Sequence, residues 1–262
     1  MLTAGQNRMK NKIKQWIENG RELLSSLLFP SRCPVCDEIL EPEELNKGIH
    51  LACESKLYYI QGAVCMHCGR PLGNDNPYKE YCYDCISKGY VKESFVTQGK
   101  SLYLYKGSAK QMMYRFKYNN KQEYAKFFAK EAMAQYASWM KQRGIEVIVP
   151  VPMYRGKQRR RGYNQAECFA KQLSEQSGIP VDCRLVYRVQ DTAPQKELDA
   201  AARRNNLKKA FQKGKFVVQY TCAMVVDDIY TTGSTAEAVA RELKNIGIRQ
   251  VYLLTICIGE DR

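Results

Sequence analysis

The chain predicts an α/β fold: a parallel sheet flanked by helices, preceded by a small Cys-rich N-terminal region. Three observations carry that expectation. An apolar run from Cys222 to Val226 ends in two acids, Asp227 and Asp228, then passes through Thr231, Thr232, Gly233, Ser234 and Thr235 into a stretch of helical spacing. Strand-like and helix-like segments alternate from about residue 93 onward. Ahead of them, cysteines recur in pairs at a fixed offset.

The N-terminal stretch, residues 1–30, predicts a basic amphipathic helix over 8–29. Ile13, Trp16, Ile17, Leu24, Leu27 and Leu28 share one face, with Lys10, Lys12, Lys14 and Arg21 among the polar positions. Such a helix either docks on its own domain or lies peripherally on a membrane surface. The longest apolar stretch here, Leu23 to Phe29, is interrupted by Ser25 and Ser26. Neither a secretory signal nor a spanning helix is therefore expected, and the expected location is cytoplasmic.

Residues 31–92 hold the paired cysteines. Eleven cysteines in such a chain point to metal rather than disulfides. Cys33 and Cys36 are followed after thirteen residues by His50 and Cys53; Cys65 and Cys68 are followed after the same gap by Cys82 and Cys85. Adding 32 maps each member of the first set onto the second, His50 onto Cys82 included, and also Leu40 onto Leu72. Each Cys-x-x-Cys turn presents two thiolates to one ion and two such turns complete a tetrahedron, so the region predicts a double zinc ribbon. With four protein ligands and no open position, both zinc ions would be structural. Pairing within each repeat is the simplest arrangement; an interleaved one, or loss of one metal, stays open at this level. His67 lies inside a turn and is expected to pack or face solvent. Cys168, Cys183, Cys222 and Cys257 are expected as small core residues.

From residue 93 to 262 the pattern is a strand-like stretch over 95–105, helices over 108–118 and 121–142, and a strand over 147–151. A helix over 164–177, a strand over 181–186 and a helix over 199–209 follow. The run at 222, its helix over 236–246 and a closing strand over 251–258 complete it. A Val-rich run without polar alternation suits a strand covered on both faces. Ligands of such sheets sit beyond the strand carboxyl ends.

Charge points to the ligand class. Lys and Arg number 41 against 27 Asp and Glu, a formal net charge of +14, and residues 93–262 carry 29 of the basic and 16 of the acidic side chains. A field of this sign favours polyanions, whether phosphorylated metabolites, nucleic acid or a membrane surface. Arg155 to Arg161 places five cations in seven residues just after a predicted strand end. These cations cannot all be buried, and a phosphate-seeking loop is expected there. Thr231 to Thr235 can close backbone N–H groups around an anion at a helix N-terminus. Two carboxylates beside such a cup require a ligand with hydroxyl donors or a divalent metal between them.

A sugar phosphate meets that requirement, and here the sequence resembles known families. Val225 to Thr235 is similar to the 5-phosphoribosyl-1-pyrophosphate (PRPP) motif of type I phosphoribosyltransferases: a hydrophobic strand, two acids, two residues, then a Thr-Thr-Gly-Ser-Thr turn. Further pieces occur in order: Phe29-Pro30, the paired cysteines, Phe116-Lys117-Tyr118, Val149-Pro150-Val151-Pro152, Arg161-Gly162-Tyr163-Asn164-Gln165, Pro194-Gln195 and Arg203-x-x-Asn206. Together they resemble the ComF family of bacterial competence proteins, in which a zinc ribbon precedes a phosphoribosyltransferase domain. His50 in place of a cysteine departs from the pattern, although His is itself a zinc ligand.

The resemblance implies a role in natural transformation, with PRPP or a related ribose phosphate as ligand. Single-stranded DNA and the helicase or channel proteins of DNA uptake would be partners. Asp227 and Asp228 would take the ribose hydroxyls, with Mg²⁺ bridging hydroxyl and pyrophosphate oxygens, and Thr231, Thr232, Gly233, Ser234 and Thr235 the 5′-phosphate. Arg155 or Lys117 would meet the pyrophosphate, and Arg159, Arg160 and Arg161 nucleic acid. Two readings follow: a DNA-uptake protein with a ribose-phosphate site, or a phosphoribosyltransferase joining ribosyl 5-phosphate to a base or amine.

Overall fold

The apolar run at Cys222 becomes an inner strand of a parallel sheet in the computed structural model, which describes residues 30–73, 76–191, 210–214 and 219–260. The described strands are β1 (Gln98–Leu104), β2 (Val147–Pro150), β3 (Val186–Arg188), β4 (Phe211–Lys213), β5 (Cys222–Tyr230) and β6 (Gln250–Ile258). The described helices are α1 (Leu51–Glu54), α2 (Tyr83–Ser87), α3 (Ser108–Tyr118), α4 (Tyr124–Gln142), α5 (Arg155–Arg161), α6 (Gln165–Ser177) and α7 (Ser234–Asn245). Four strands pair in the order β1-β6-β5-β2, all parallel, so every carboxyl end lies on one edge. No helix among the described residues is long and apolar enough to cross a membrane.

Residues 222–226 of β5 are buried without interruption, as a strand covered on both faces requires. Alternate residues serve opposite faces. Val147 and Val149, Ala223 and Val225, and Val251 and Leu253 join one apolar cluster with Ala236, Val239, Ala240 and Leu243 of α7. The amphipathic spacing of α7 thus seats it on that face. On α3, Met112, Met113 and Phe116 are buried, and Phe116 meets Phe128 of α4 edge-on with ring centroids 5.2 Å apart.

Four expectations are corrected. Cys183 is exposed and Cys168 half-buried rather than core residues, while Cys222 and Cys257 are buried. A strand over 181–186 does not form: Val181 makes a single bridge to Ile148, and pairing proper begins at Val186 in a separate antiparallel hairpin of β3 with β4. A short apolar stretch following a Pro can satisfy its backbone in either place, and the local sequence does not choose. The basic stretch at 155–161 is a helix rather than a loop. Its Arg, Lys and Gln side chains are good helix formers, and Gly162 ends it in the left-handed region at φ 90°. The helix after β5 starts at Ser234, two residues earlier than its apolar spacing begins. The helices expected over 8–29 and 199–209, and the motif pieces at Pro194-Gln195 and Arg203-x-x-Asn206, lie outside the described residues.

The chain divides into two compact units after Glu54. The composition shift near residue 92 ends the Cys-rich sequence, whereas packing groups the second ribbon with the sheet: Cys65, Cys68, Cys82 and Cys85 belong to the same cluster as α7, β2, β5 and β6.

Candidate functional site

Each ribbon repeats the same backbone turn. In the first, Cys33 N–H donates to Glu38 O and Asp37 N–H to Cys33 O, both at 2.8 Å. In the second, Cys65 N–H donates to Arg70 O at 2.7 Å and Gly69 N–H to Cys65 O at 2.9 Å. The turn needs a left-handed residue, met by Asp37 at φ 70° and Gly69 at φ 76°. Only the second tolerates no side chain, because a Cβ at Gly69 would lie 2.6 Å from the carbonyl oxygen of Gly99 on β1.

The turns bring together both predicted ligand sets. Donor atoms of Cys33, Cys36, His50 and Cys53 lie within 4.8 Å of one another, as do those of Cys65, Cys68, Cys82 and Cys85. Pairing is therefore within each repeat, and both sets fit structural zinc. His50 faces the thiols through Nδ1, 3.1 Å from Cys36 Sγ, while Nε2 lies 3.0 Å from Ile39 O. The carbonyl accepts the Nε2–H, which leaves Nδ1 its lone pair for metal. His67 is buried, with Nδ1 3.3 Å from Cys85 Sγ and Nε2 2.8 Å from Ser94 Oγ, an outer support for the second site.

At the carboxyl end of β5, Asp227 and Asp228 stand side by side. Asp228 N–H donates to Asp227 Oδ1 at 2.8 Å. Lys117, carried at the end of α3, places Nζ 3.0 Å from Asp228 Oδ2. The Arg161-to-Gln165 run explains this placement: Tyr163 Oη and Gln165 Nε2 both donate to the carbonyl of Phe116, and Asn164 ties to Val151 O while capping α6. The segment thus docks the end of α3 beside β5. Burial, then the neighbouring Asp228 charge, pushes the Asp227 carboxyl up to about 7. The charges of Lys117 and Arg188 and the Asp228 N–H bond oppose that rise.

Arg188 on β3 was not foreseen from sequence. Burial lowers its pKa from the ordinary value, against the pull of Asp191 and Asp227. Nothing in the local pattern signals it, because the hairpin that carries it is closed by β4, over twenty residues away. Arg155, as expected near a strand end, lines a cavity of about 740 Å³ with Pro152, Tyr154, Asn164 and Arg188. Arg159 and Arg160 are exposed, Arg160 lying 3.7 Å from Asp191. Arg161 turns away from that cavity and stacks on Tyr118.

Thr231 to Thr235 form the turn into α7, and the second ribbon holds it from behind. Arg70, two residues after Cys68 and almost fully buried, donates through Nη1 to Asp84 Oδ2 at 2.8 Å and through Nη2 to Thr231 O at 3.1 Å. Tyr90 Oη donates to Thr232 O at 3.2 Å. In a trans peptide C=O and N–H point in opposite directions, so drawing these two carbonyls toward the ribbon turns the N–H groups of Thr232 and Gly233 away from it. That orientation suits an anion at the helix start. Gly233 has φ 80°, and a Cβ there would lie 2.4 Å from Tyr230 Oη. Glu237 of α7 accepts from Ser94 Oγ and from Phe95 N–H, the latter at 2.9 Å, which ties the helix to the segment leaving the ribbon.

The model for the double zinc ribbon domain matches residues 24–86. Competence protein F of Haemophilus influenzae is 32% identical over 232 residues, covering 86% of this chain and 96% of that protein. Competence protein ComFC of Bacillus subtilis is 28% identical, covering 80% and 82%. The DNA utilization protein YhgH of Escherichia coli is 28% identical, covering 80% and 90%. Among solved structures, a purine phosphoribosyltransferase from Pyrococcus horikoshii overlaps at a TM-score of 0.31 with 18% identity, covering 50% of this chain and 72% of that one; so partial an overlap decides nothing here.

Metal analysis should find two zinc ions per chain, and Cys65→Ser should reduce this to one. Arg70→Lys keeps the charge but cannot fork to Asp84 and Thr231 together. It should retain both zinc ions and lose roughly tenfold in ligand affinity, the worth of one charge-assisted hydrogen bond. Unchanged affinity in calorimetry would show that the turn holds itself.

Proposed function

The chain belongs to the ComF family of competence proteins, and from that premise we propose that it acts in DNA uptake, handling incoming single-stranded DNA, with a site for PRPP or a related ribose phosphate in its sheet domain. The observation that carries the ligand is the juxtaposition of an acid pair and an N–H-lined turn at one strand end, with Lys117 and Arg188 beside the acids. Asp227 and Asp228 accept hydrogen bonds from ribose hydroxyls, and residues 231–235 hold the 5′-phosphate. Mg²⁺, when bound with the ligand, would neutralise pyrophosphate charge. Lys117 and Arg155 face the pyrophosphate from the open side. The basic excess of residues 93–262 supports attraction of nucleic acid.

The 740 Å³ cavity favours a second reading, in which the site turns its ligand over. The C1–oxygen bond to pyrophosphate would break, the leaving group departing with its electron pair toward Lys117 and Arg155. A base or amine seated in the cavity would capture the cationic sugar carbon and lose a proton to solvent. Positioning and charge stabilisation would carry such a reaction. Pyrophosphate release from Mg²⁺-PRPP over a panel of bases and amines distinguishes the two readings.

Replacing Asp227 and Asp228 together by Asn keeps their size and removes charge-assisted bonds worth about 1.5–3 kcal/mol each, so PRPP affinity should fall roughly 10²-fold or more. A folded double variant with unaltered affinity would sink the ribose-phosphate assignment, and lost affinity with intact transformation would make the site dispensable for uptake.

Binding should also depend on pH. Asp227 titrates near 7 and accepts from hydroxyls best when ionised, so affinity should fall as pH drops through that value. Removing the like charge in Asp228→Asn lowers the Asp227 pKa, and the fall should move to lower pH. An identical profile in the variant would place the titrating group elsewhere.

Replacing Arg159, Arg160 and Arg161 together by Ala should weaken single-stranded DNA binding and flatten its salt dependence, since each lost phosphate contact lowers the slope of log K against log salt by about 0.7. An unaltered slope would move the phosphate contacts to another surface.

A further inference from the structure

Two helices of the sheet domain meet in an arrangement the ribose-phosphate site does not use. One side of α3 is core, with Ala109, Met112, Met113 and Phe116 buried. On the other side Tyr114 and Tyr118 sit one turn apart, 60% and 61% exposed, with ring centroids 5.0 Å apart. Large aromatic side chains leave that much surface in water at a cost in apolar area, and these two are clustered. Next to them stands the end of α5: Arg161 places its guanidinium carbon 4.9 Å from the Tyr118 ring centre and is braced by Gln165 Oε1, which accepts from Nη1 at 2.7 Å.

The charges carried by the two helices have one sign. Neither α3 nor α5 contains an acidic residue. Lys110, one turn before Tyr114, is exposed, and so are Lys157, Arg159 and Arg160 on α5. Among the described residues, Asp191 lies 3.7 Å from Arg160, and Glu123, five residues after Tyr118, lies 3.9 Å from Lys121. Stacked aromatic faces rimmed by cations match the two parts of a single strand, unpaired base faces and phosphates. A duplex offers phosphates but keeps its base faces stacked inside.

We propose that Tyr114 and Tyr118, with Arg161, form a base-stacking platform for single-stranded nucleic acid, and that Arg159 and Arg160 hold the phosphates of the same strand. This rests on the DNA-handling role proposed above and names its surface. The platform supplies contacts that do not depend on base identity, because every base has a π-face. It divides the work between side chains: the tyrosines give preference for single strands, the arginines give salt dependence.

Fluorescence anisotropy with a labelled oligothymidylate and with a duplex of equal length tests this on the full chain. Tyr114→Ala with Tyr118→Ala should weaken single-strand binding roughly 10- to 100-fold, leave the salt slope unaltered and leave duplex binding unaltered. Tyr114→Phe with Tyr118→Phe should bind as the parent does. Because both rings are exposed, the thermal midpoint of either variant should stay near that of the parent. Ultraviolet crosslinking of a bromouracil-containing strand should map to Tyr114 or Tyr118. If the Ala pair binds the strand as tightly as the parent, the platform is wrong while the DNA-handling role stands. Failure of the parent itself to bind single strands at low salt would remove both.

Discussion

A guanidinium cannot be buried without partners, and in this protein the organisation of the candidate site turns on Arg70. It sits between the second set of four cysteines and the turn after β5, with Asp84 on one side and the Thr231 carbonyl on the other. Burial alone would raise the Asp84 pKa; hydrogen bonds from Arg70 and Lys88 outweigh it and hold that carboxyl below its ordinary value. Such a pair fixes geometry more than it adds stability, since desolvation offsets much of the attraction. What it fixes is the direction of two peptide planes. The ribbon behind the sheet therefore decides which way the N–H groups in front of it point.

The two ribbons share a turn and differ at single positions within it. Their knuckles share hydrogen bonds and a left-handed residue, so both can gather four metal ligands. Asp37 in one is Gly69 in the other, and at Gly69 a Cβ would collide with the Gly99 carbonyl of β1. Glu38 in one corresponds to Arg70 in the other, whose guanidinium bridges Asp84 and the Thr231 carbonyl. Both repeats gather four possible metal ligands, and the second also carries Arg70, which holds the turn after β5.

At the front, the cost lies with the acids. Asp227 keeps an elevated pKa even with Lys117 and Arg188 acting on it. A carboxyl whose folded pKa exceeds its unfolded value binds protons more tightly in the fold, so stability falls as pH rises between about 3.8 and 7.

The sequence by itself determined the parallel α/β class, the eight candidate metal ligands and the acid pair with its turn, because each is written in neighbouring residues, while the structure decided that the ligands group within each repeat. A five-residue Val-rich apolar run ended by acids suits a doubly covered strand, and paired knuckles thirteen residues apart suit a tetrahedral metal set. The tertiary structure decided which residues far apart in the chain meet. Arg70 and Tyr90 reach Thr231 and Thr232 across more than a hundred residues, Arg188 comes in on a hairpin closed at residue 211, and Tyr163 with Gln165 brings Lys117 to Asp228. Short segments were undecided for the same reason: residues 181–186 could pair in two places, and 155–161 could be loop or helix until Tyr154 and Gly162 set its ends. Local pattern specifies what a segment can become, and only packing across the chain specifies whom it faces.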